Sequence, residues 1–172
     1  MRHTISIQVE NEFGVLSRVA GLFSGRGFNI ESLSVAETLD PTVSRITLVT
    51  HGDDRVIDQI EKQLEKIINV IQVSDFTNTD HVERELVLIK VAAEEKTRAE
   101  IMNIVQIFRA NVVDVSRKSF IIEAIGSEDK LNALIELLKP IGIKEIVRTG
   151  RVAMFRGTRT VAMSSKDKDH AA

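Results

Sequence analysis

The chain has 172 residues, enough for one medium domain or two small ones, and its 43% hydrophobic and 28% charged content excludes a disordered or membrane-embedded profile. It contains no cysteine, which removes disulfides, thiolate nucleophiles and Cys-ligated metals and fits a reducing cytoplasm. A formal charge of −2 exerts no global pull on nucleic acid, and all seven aromatic residues are Phe, so cages built from Tyr or Trp are excluded.

The first residues, Met1-Arg2-His3-Thr4-Ile5-Ser6-Ile7, go straight into strand-like alternation, which leaves no room for a signal peptide. Ile5, Ile7 and Val9 share one face of a half-buried strand over Thr4–Glu10. Leu16, Val19, Ala20 and Phe23 recur at helical spacing, with Gly25 as the expected stop. Ile30–Glu37 and Ser44–Thr50 read as strands joined by a turn at Asp40-Pro41. Asp53 or Asp54 caps a helix with the stripe Val56, Ile60, Leu64 and Ile67, and Val70–Asp75 is the last strand of the unit. The order β-α-β-β-α-β is the split βαβ plan of ferredoxin-like folds.

After the polar segment Asn78-Thr79-Asp80-His81 the same order returns. Glu85–Ala92 is a strand, and Ile101, Ile104, Val105 and Phe108 mark a helix. Asn111–Val115 and Ser119–Ile125 are strands with Arg117-Lys118 at the turn. Leu131, Leu134 and Leu138 mark a helix stopped by Pro140, and Ile143–Thr149 closes the unit. The expectation is an α+β chain of two tandem ferredoxin-like domains: 1–77, a linker over 78–83, 84–163, and a disordered tail over 164–172. One sheet face of the first domain, carrying Ser6, Gln8, Ser34, Ala36, Thr47 and Val49, is expected to lie uncovered, and edge strands make a homodimer the expected state.

Catalytic constellations are not visible. His3, His51, His81 and His170 are scattered and read as surface histidines, and no serine sits in a nucleophile elbow. Gly25-Arg26-Gly27 follows a helix and precedes a strand, the reverse of a dinucleotide fingerprint. RNA binding on this topology stacks bases on strand aromatics, and the relevant strands offer only Phe120. Two features remain. Asn11-Glu12-Phe13-Gly14-Val15-Leu16 puts a glycine at a strand-to-helix turn, which is either a well-made turn or a backbone cradle for a small carboxylate. From Ile146 to Thr160 four arginines and no acid surround Met154 and Phe155, either a solvated basic tail or a docking segment for an acidic partner.

The motifs Asn11-Glu12-Phe13-Gly14-Val15-Leu16-Ser17-Arg18, Gly25-Arg26-Gly27-Phe28-Asn29-Ile30-Glu31-Ser32-Leu33 and Arg148-Thr149-Gly150-Arg151-Val152-Ala153-Met154-Phe155-Arg156-Gly157 resemble the small regulatory subunits of acetohydroxyacid synthase, also called acetolactate synthase. The resemblance spans about Thr4 to Arg159. It implies an N-terminal ACT domain, an amino-acid-sensing β-α-β-β-α-β module, followed by a related C-terminal domain. It also implies a chain without chemistry, catalytic residues or metal of its own. Such a subunit binds and activates the catalytic large subunit, which carries thiamine diphosphate, Mg and FAD, and it confers feedback inhibition by a branched-chain amino acid, usually valine.

Carried onto this sequence, the resemblance implies an effector site between two ACT domains, with Asn11, Gly14, Val15 and Leu16 of one copy facing Asn29 and Ile30 of the other. Arg148, Arg151, Met154, Phe155 and Arg156 would form the docking segment for the catalytic subunit. The second turn, Ala93-Glu94-Glu95-Lys96-Thr97, lacks the Asn and Gly of the first, so no matching site is expected there. A free-standing ACT-type sensor of another biosynthetic enzyme would keep the amino-acid site but not need the Arg148–Gly157 motif. An independent enzyme on this scaffold would need a catalytic constellation.

Overall fold

The computed structural model describes residues 1–161. The tail expected over 164–172 lies outside the described residues. The chain divides into two compact units, one formed by Met1–Val82 with the described residues from Arg151 onward, the other by Glu83–Gly150.

In the first unit, β1 (Arg2–Glu10), β2 (Ile30–Glu37), β3 (Val43–His51) and β4 (Val70–Asp75) form an antiparallel sheet in the order β2-β3-β1-β4. Registers such as Ile5↔Leu48 and Ile7↔Ile46 place the apolar residues on one face, because side chains alternate with period two. There they pack with helices α1 (Val15–Gly25) and α2 (Asp54–Leu64) around Val15, Val19, Phe23, Ile57, Ile60 and Leu64. The Asp53 carboxylate accepts from the Val56 amide at 2.9 Å, so Asp53 is the cap of α2. The buried stripe of α2 runs through Ile57, Ile60 and Leu64, while Val56 and Ile67 lie at its margin, partly buried.

Two expectations change. The sheet face opposite the helices is not uncovered: Ser6, Gln8, Thr47 and Val49 are buried, and only toward the β2 edge, at Ala36, does that face open. Nor is His3 a surface residue. It is 2% exposed, and its Nδ1 lies 3.1 Å from Asp75 Oδ2, tying the first strand to the last.

Near this pair sits the half-buried Glu61 of α2, whose carboxyl is pushed up from its ordinary value, first by burial and then by the negative charges of Asp75, Asp58 and Glu65. A carboxyl raised on folding holds its proton more tightly in the folded state. Stability therefore falls as pH rises through the interval between the two values, and the penalty persists above it. Glu61→Gln is expected to raise stability at pH 7 by up to about 1 kcal/mol, the partial exposure of the site keeping the gain small. Thermal unfolding of both chains from pH 4 to 8 should show the advantage of the variant shrinking toward pH 4.

The second unit repeats the plan with β5 (His81–Ala92), β6 (Asn111–Val115), β7 (Ser119–Gly126) and β8 (Ile143–Arg148) in the order β6-β7-β5-β8. Helices α3 (Arg98–Ile107) and α4 (Glu128–Leu138) pack on Val87, Ile89, Val91, Ile122 and Ala124 through Ile101, Ile104, Leu131, Leu134 and Leu138. Pro140 lies in a 3-10 turn, Lys139–Ile141, directly after α4.

A ninth strand, β9 (Val152–Phe155), lies where the sequence suggests a tail, and it pairs with β5. Ala153 and Phe155 are buried with Phe76 in a small core of their own, the two Phe rings 4.4 Å apart. The described residues from Arg151 on thus group with the first unit, whereas the sequence carries the second domain to residue 163.

Candidate functional site

The turn from β1 into α1 is built from both sides. Asn11 donates its amide to Glu37 Oε1 at 3.2 Å and to the Pro41 carbonyl at 2.9 Å, and its backbone N–H to the Thr42 carbonyl at 2.7 Å. With both side-chain N–H groups used, the free polar atom of Asn11 is its acceptor, Oδ1. Gly14 caps the helix at φ +81°, a left-handed conformation that a residue with Cβ adopts at a cost. An added Cβ there would meet nothing within 4 Å, so the turn is open.

Helix α1 has no side-chain cap and no acid in its first turn. The amides of Leu16 and Ser17 have no preceding helical turn to donate to and point out of the helix N-terminus, where the helix dipole favours an anion. The Val15 amide makes only a long bond, 3.4 Å, to the Glu12 carbonyl. Chemically this is a small, open, uncapped cradle for one carboxylate, with an amide oxygen beside it.

Burial separates the two apolar residues of the turn. Val15 is 2% exposed and belongs to the core with Val19 and Phe23, so its side chain is not available to a ligand. Leu16 is exposed, as is Phe13. Of the stripe that the spacing predicts, Val19 and Phe23 are buried and Ala20 partly so, while Val15 takes the inward place expected of Leu16.

Asn29 is set by the other end of α1. Helix α1 runs to Gly25, and the left-handed residue that closes it is Gly27 (φ +71°), not Gly25. The Phe28 amide donates to the Phe23 carbonyl at 2.9 Å and the Gly27 amide to the Ser24 carbonyl at 3.2 Å, while the Phe23 and Phe28 rings meet edge to face at 6.2 Å. This is the Schellman arrangement with its hydrophobic contact. It leaves Asn29 exposed, its backbone carbonyl held by Thr50 Oγ1 at 2.7 Å, and Ile30 partly buried against the core.

The structure does not bring Asn29 to Gly14 within one chain. Ile30 pairs with Thr50, which pairs with His3, whereas Glu10 pairs with Val43. Seven residues of extended strand separate the two ends, about 24 Å at the usual rise per residue.

The matching turn of the second unit is closed. Arg98 donates through Nε to the Ala93 carbonyl at 3.3 Å and through Nη2 to the Arg117 carbonyl at 2.6 Å, lying 5.9 Å from the centre of the Phe120 ring. A fixed guanidinium thus bridges the segment corresponding to the open Asn11–Leu16 turn.

The arginine-rich segment is divided: Arg151 is buried, while Arg148, Arg156 and Arg159 stay exposed and make contacts within the chain. Arg148 makes a two-pronged pair with the buried Glu85, at 3.0 and 2.7 Å. Arg151 is buried, and Phe155 packs on Phe76 beneath Arg159, whose guanidinium carbon is 4.2 Å from the ring centre. Arg156 bonds the Asp80 carboxylate at 3.1 Å. Of the five residues expected to dock a partner, Arg151 and Phe155 are buried, since alternation along β9 turns Phe155 inward and Met154 outward, while Arg148 pairs with Glu85 and keeps an exposed flank. Met154 is 64% exposed, and Arg156 keeps an exposed flank.

Comparison with known proteins bears on the family and the fold. Residues 5–72 match the family model described as AHAS small subunit-like ACT domain, and residues 84–157 the one described as small subunit of acetolactate synthase. The chain is similar to the acetolactate synthase small subunit of Aquifex aeolicus, 51% identical over 98% of this chain and 86% of that one. It is 56% identical to the probable acetolactate synthase small subunit of Archaeoglobus fulgidus, over 92% and 99% of the two chains. The crystal structure of the acetolactate synthase small subunit from Thermotoga maritima matches with a TM-score of 0.84 at 43% identity, covering 92% of this chain and 99% of that one.

Proposed function

Because the chain belongs to the family of acetolactate synthase small subunits, we propose that it regulates acetolactate synthase by binding and activating the catalytic large subunit and by conferring feedback inhibition by a branched-chain amino acid, valine first among them. The chain has no catalytic role of its own. Thiamine diphosphate, Mg and FAD belong, on this reading, to the catalytic partner, and no residue of this chain is assigned to them.

The observation that carries the effector site is the contrast between two turns that both lack a side-chain cap, one open at Gly14, the other bridged by Arg98. The ligand carboxylate sits on the first-turn amides of α1, and its ammonium donates to Asn11 Oδ1. The roughly 24 Å between Gly14 and Asn29 in one chain supports a site shared by two copies. Two subunits placed with their α1 helices antiparallel bring the N-terminus of one helix to the C-terminal end of the other, so that Asn29 and Ile30 of a second copy complete the site. The β2 edge, with Val35 and Ala36 exposed, is the surface available for such pairing.

Leu16 and Ile30 enclose the isopropyl group, and Val15 contributes its backbone alone. Effector affinity in the millimolar-to-micromolar range asks for about −4 to −8 kcal/mol, and inhibition through the dimer seam for a coupling of about 1–3 kcal/mol. The exposed Met154 and the outer flanks of Arg148 and Arg156 are the positions of the docking segment to probe for large-subunit contact. Acetolactate production by the purified large subunit, alone, with this chain, and with this chain plus valine, tests the function. Activation that valine reverses is expected, and no change in rate on adding the chain would eliminate the reading.

A further inference from the structure

Behind the Gly14 turn lies a hydrogen-bonded hub that the effector reading does not use. Asn69, on the loop before β4, is 5% exposed. Its amide donates to Glu10 Oε2 at 2.8 Å and to Glu12 Oε2 at 3.2 Å, and its Oδ1 accepts from Arg18 of α1. Its backbone carbonyl accepts from the Glu10 amide at 2.9 Å. One buried side chain thus gathers both carboxylates that flank Asn11 and the arginine of the adjoining helix.

The placement has an electrostatic consequence. Glu12 stands two residues before the helix cap, and a carboxylate there is drawn to the uncapped amides of the first turn. A Glu12 that folded onto them would occupy the position that a ligand carboxylate needs. The two Asn69 N–H groups instead hold Glu10 and Glu12 to one side, while Glu37 and Pro41 hold Asn11 to the other.

We propose that Asn69 is a positioning residue for the effector site: by holding Glu10 and Glu12 away from the α1 N-terminus, it keeps the amide cradle vacant for the effector carboxylate. The proposal rests on the effector reading above. Asn69→Asp keeps the shape and the acceptor for Arg18 but replaces the two donors by a third negative charge, which repels both glutamates.

Calorimetric titration of the full-length chain with L-valine tests this. Asn69→Asp is expected to weaken valine binding by about tenfold or more, the scale of losing hydrogen bonds to charged groups. Adding Glu10→Gln and Glu12→Gln to Asn69→Asp reverses donor and acceptor, and should return the affinity to within about threefold of the parent. The Glu10→Gln/Glu12→Gln chain, whose amide oxygens still accept from Asn69, should bind like the parent. Recovery in the triple variant is a result that a merely structural role would not produce.

Parent-like affinity in Asn69→Asp overturns the proposal, and so does a triple variant that stays weak. Should Asn69→Asp not fold, judged by circular dichroism, the triple variant decides alone, in the same two directions. Gly14→Asp separates the two levels. If the parent binds no valine, or Gly14→Asp binds it undiminished, the effector site itself is wrong. If Gly14→Asp abolishes binding while Asn69→Asp does not weaken it, only the role of Asn69 falls.

Discussion

Gly14→Asp is expected to abolish inhibition by valine while leaving activation of the catalytic subunit intact. The position is open, with nothing within 4 Å of an added Cβ, so the side chain fits without displacing a neighbour. The left-handed backbone, φ +81°, costs about 1 kcal/mol of stability, least for Asp and Asn among residues with a Cβ. A carboxylate there does two things. It caps the first-turn amides itself, and it repels a ligand carboxylate by about 1–4 kcal/mol, according to how much water the site retains. Valine affinity should therefore fall by about tenfold or more. Gly14→Asn carries the same strain without the charge and should retain more sensitivity than Gly14→Asp. Inhibition curves for the three chains with one preparation of large subunit distinguish charge from strain, and full valine sensitivity in Gly14→Asp would remove Gly14 from the site.

Phe76→Ala should destabilise the chain far more than Gly14→Asp does. The ring is fully buried and packs at a tilt against Phe155 in a core that also holds Ala153. So small a core has few neighbours able to close a cavity, which places the cost at about 3–5 kcal/mol. Phe155→Ala should cost a similar amount, and the pair less than the sum, because each removal exposes the other ring. Urea unfolding followed by circular dichroism measures all three. A loss under about 1 kcal/mol for Phe76→Ala would mean that β9 does not depend on Phe76, and Phe155 would again be free to anchor a partner.

Much of the fold is legible in the sequence because strands and helices bury residues with different periods. β2, β4 and β6 have the bounds that their alternation predicts, and the duplicated order follows from them. The inward residue of the first turn of α1 is not legible, although Val19 and Phe23 are buried as their spacing predicts. Val15 and Leu16 are both apolar, and which one faces inward is decided by the left-handed Gly14, a backbone angle that periodicity does not carry. β9 escapes notice for a different reason: it is four residues long and wholly apolar, its partner strand lies some 70 positions upstream, and the arginines around it suggest a solvated surface.

The site divides in the same way. The open glycine and the two asparagines are local features, visible as residue types at a turn. Asn69 is not, since the side chains that it joins lie 51 to 59 positions away and only the closed sheet brings them together. The pairing of Arg148 is likewise set by Glu85, 63 positions distant. Local charge density therefore does not reveal that one of these arginines is already paired within the chain.

The central claim is that one effector site takes Gly14 from one subunit and Asn29 from another, and mixed dimers test it most directly. Asn29→His removes the amide acceptor and adds bulk, so chains carrying Gly14→Asp and chains carrying Asn29→His should each, as pure dimers, bind valine about tenfold or more weakly than the parent. Dissociated and reassembled together in equal amounts, they form mixed dimers in which one site carries both changes and the other carries neither. Titration of the mixture should then recover parent-like affinity at about one site per four chains, half of the dimers being mixed. A mixture that reassembles yet binds no more valine than its two components would contradict a site shared between subunits.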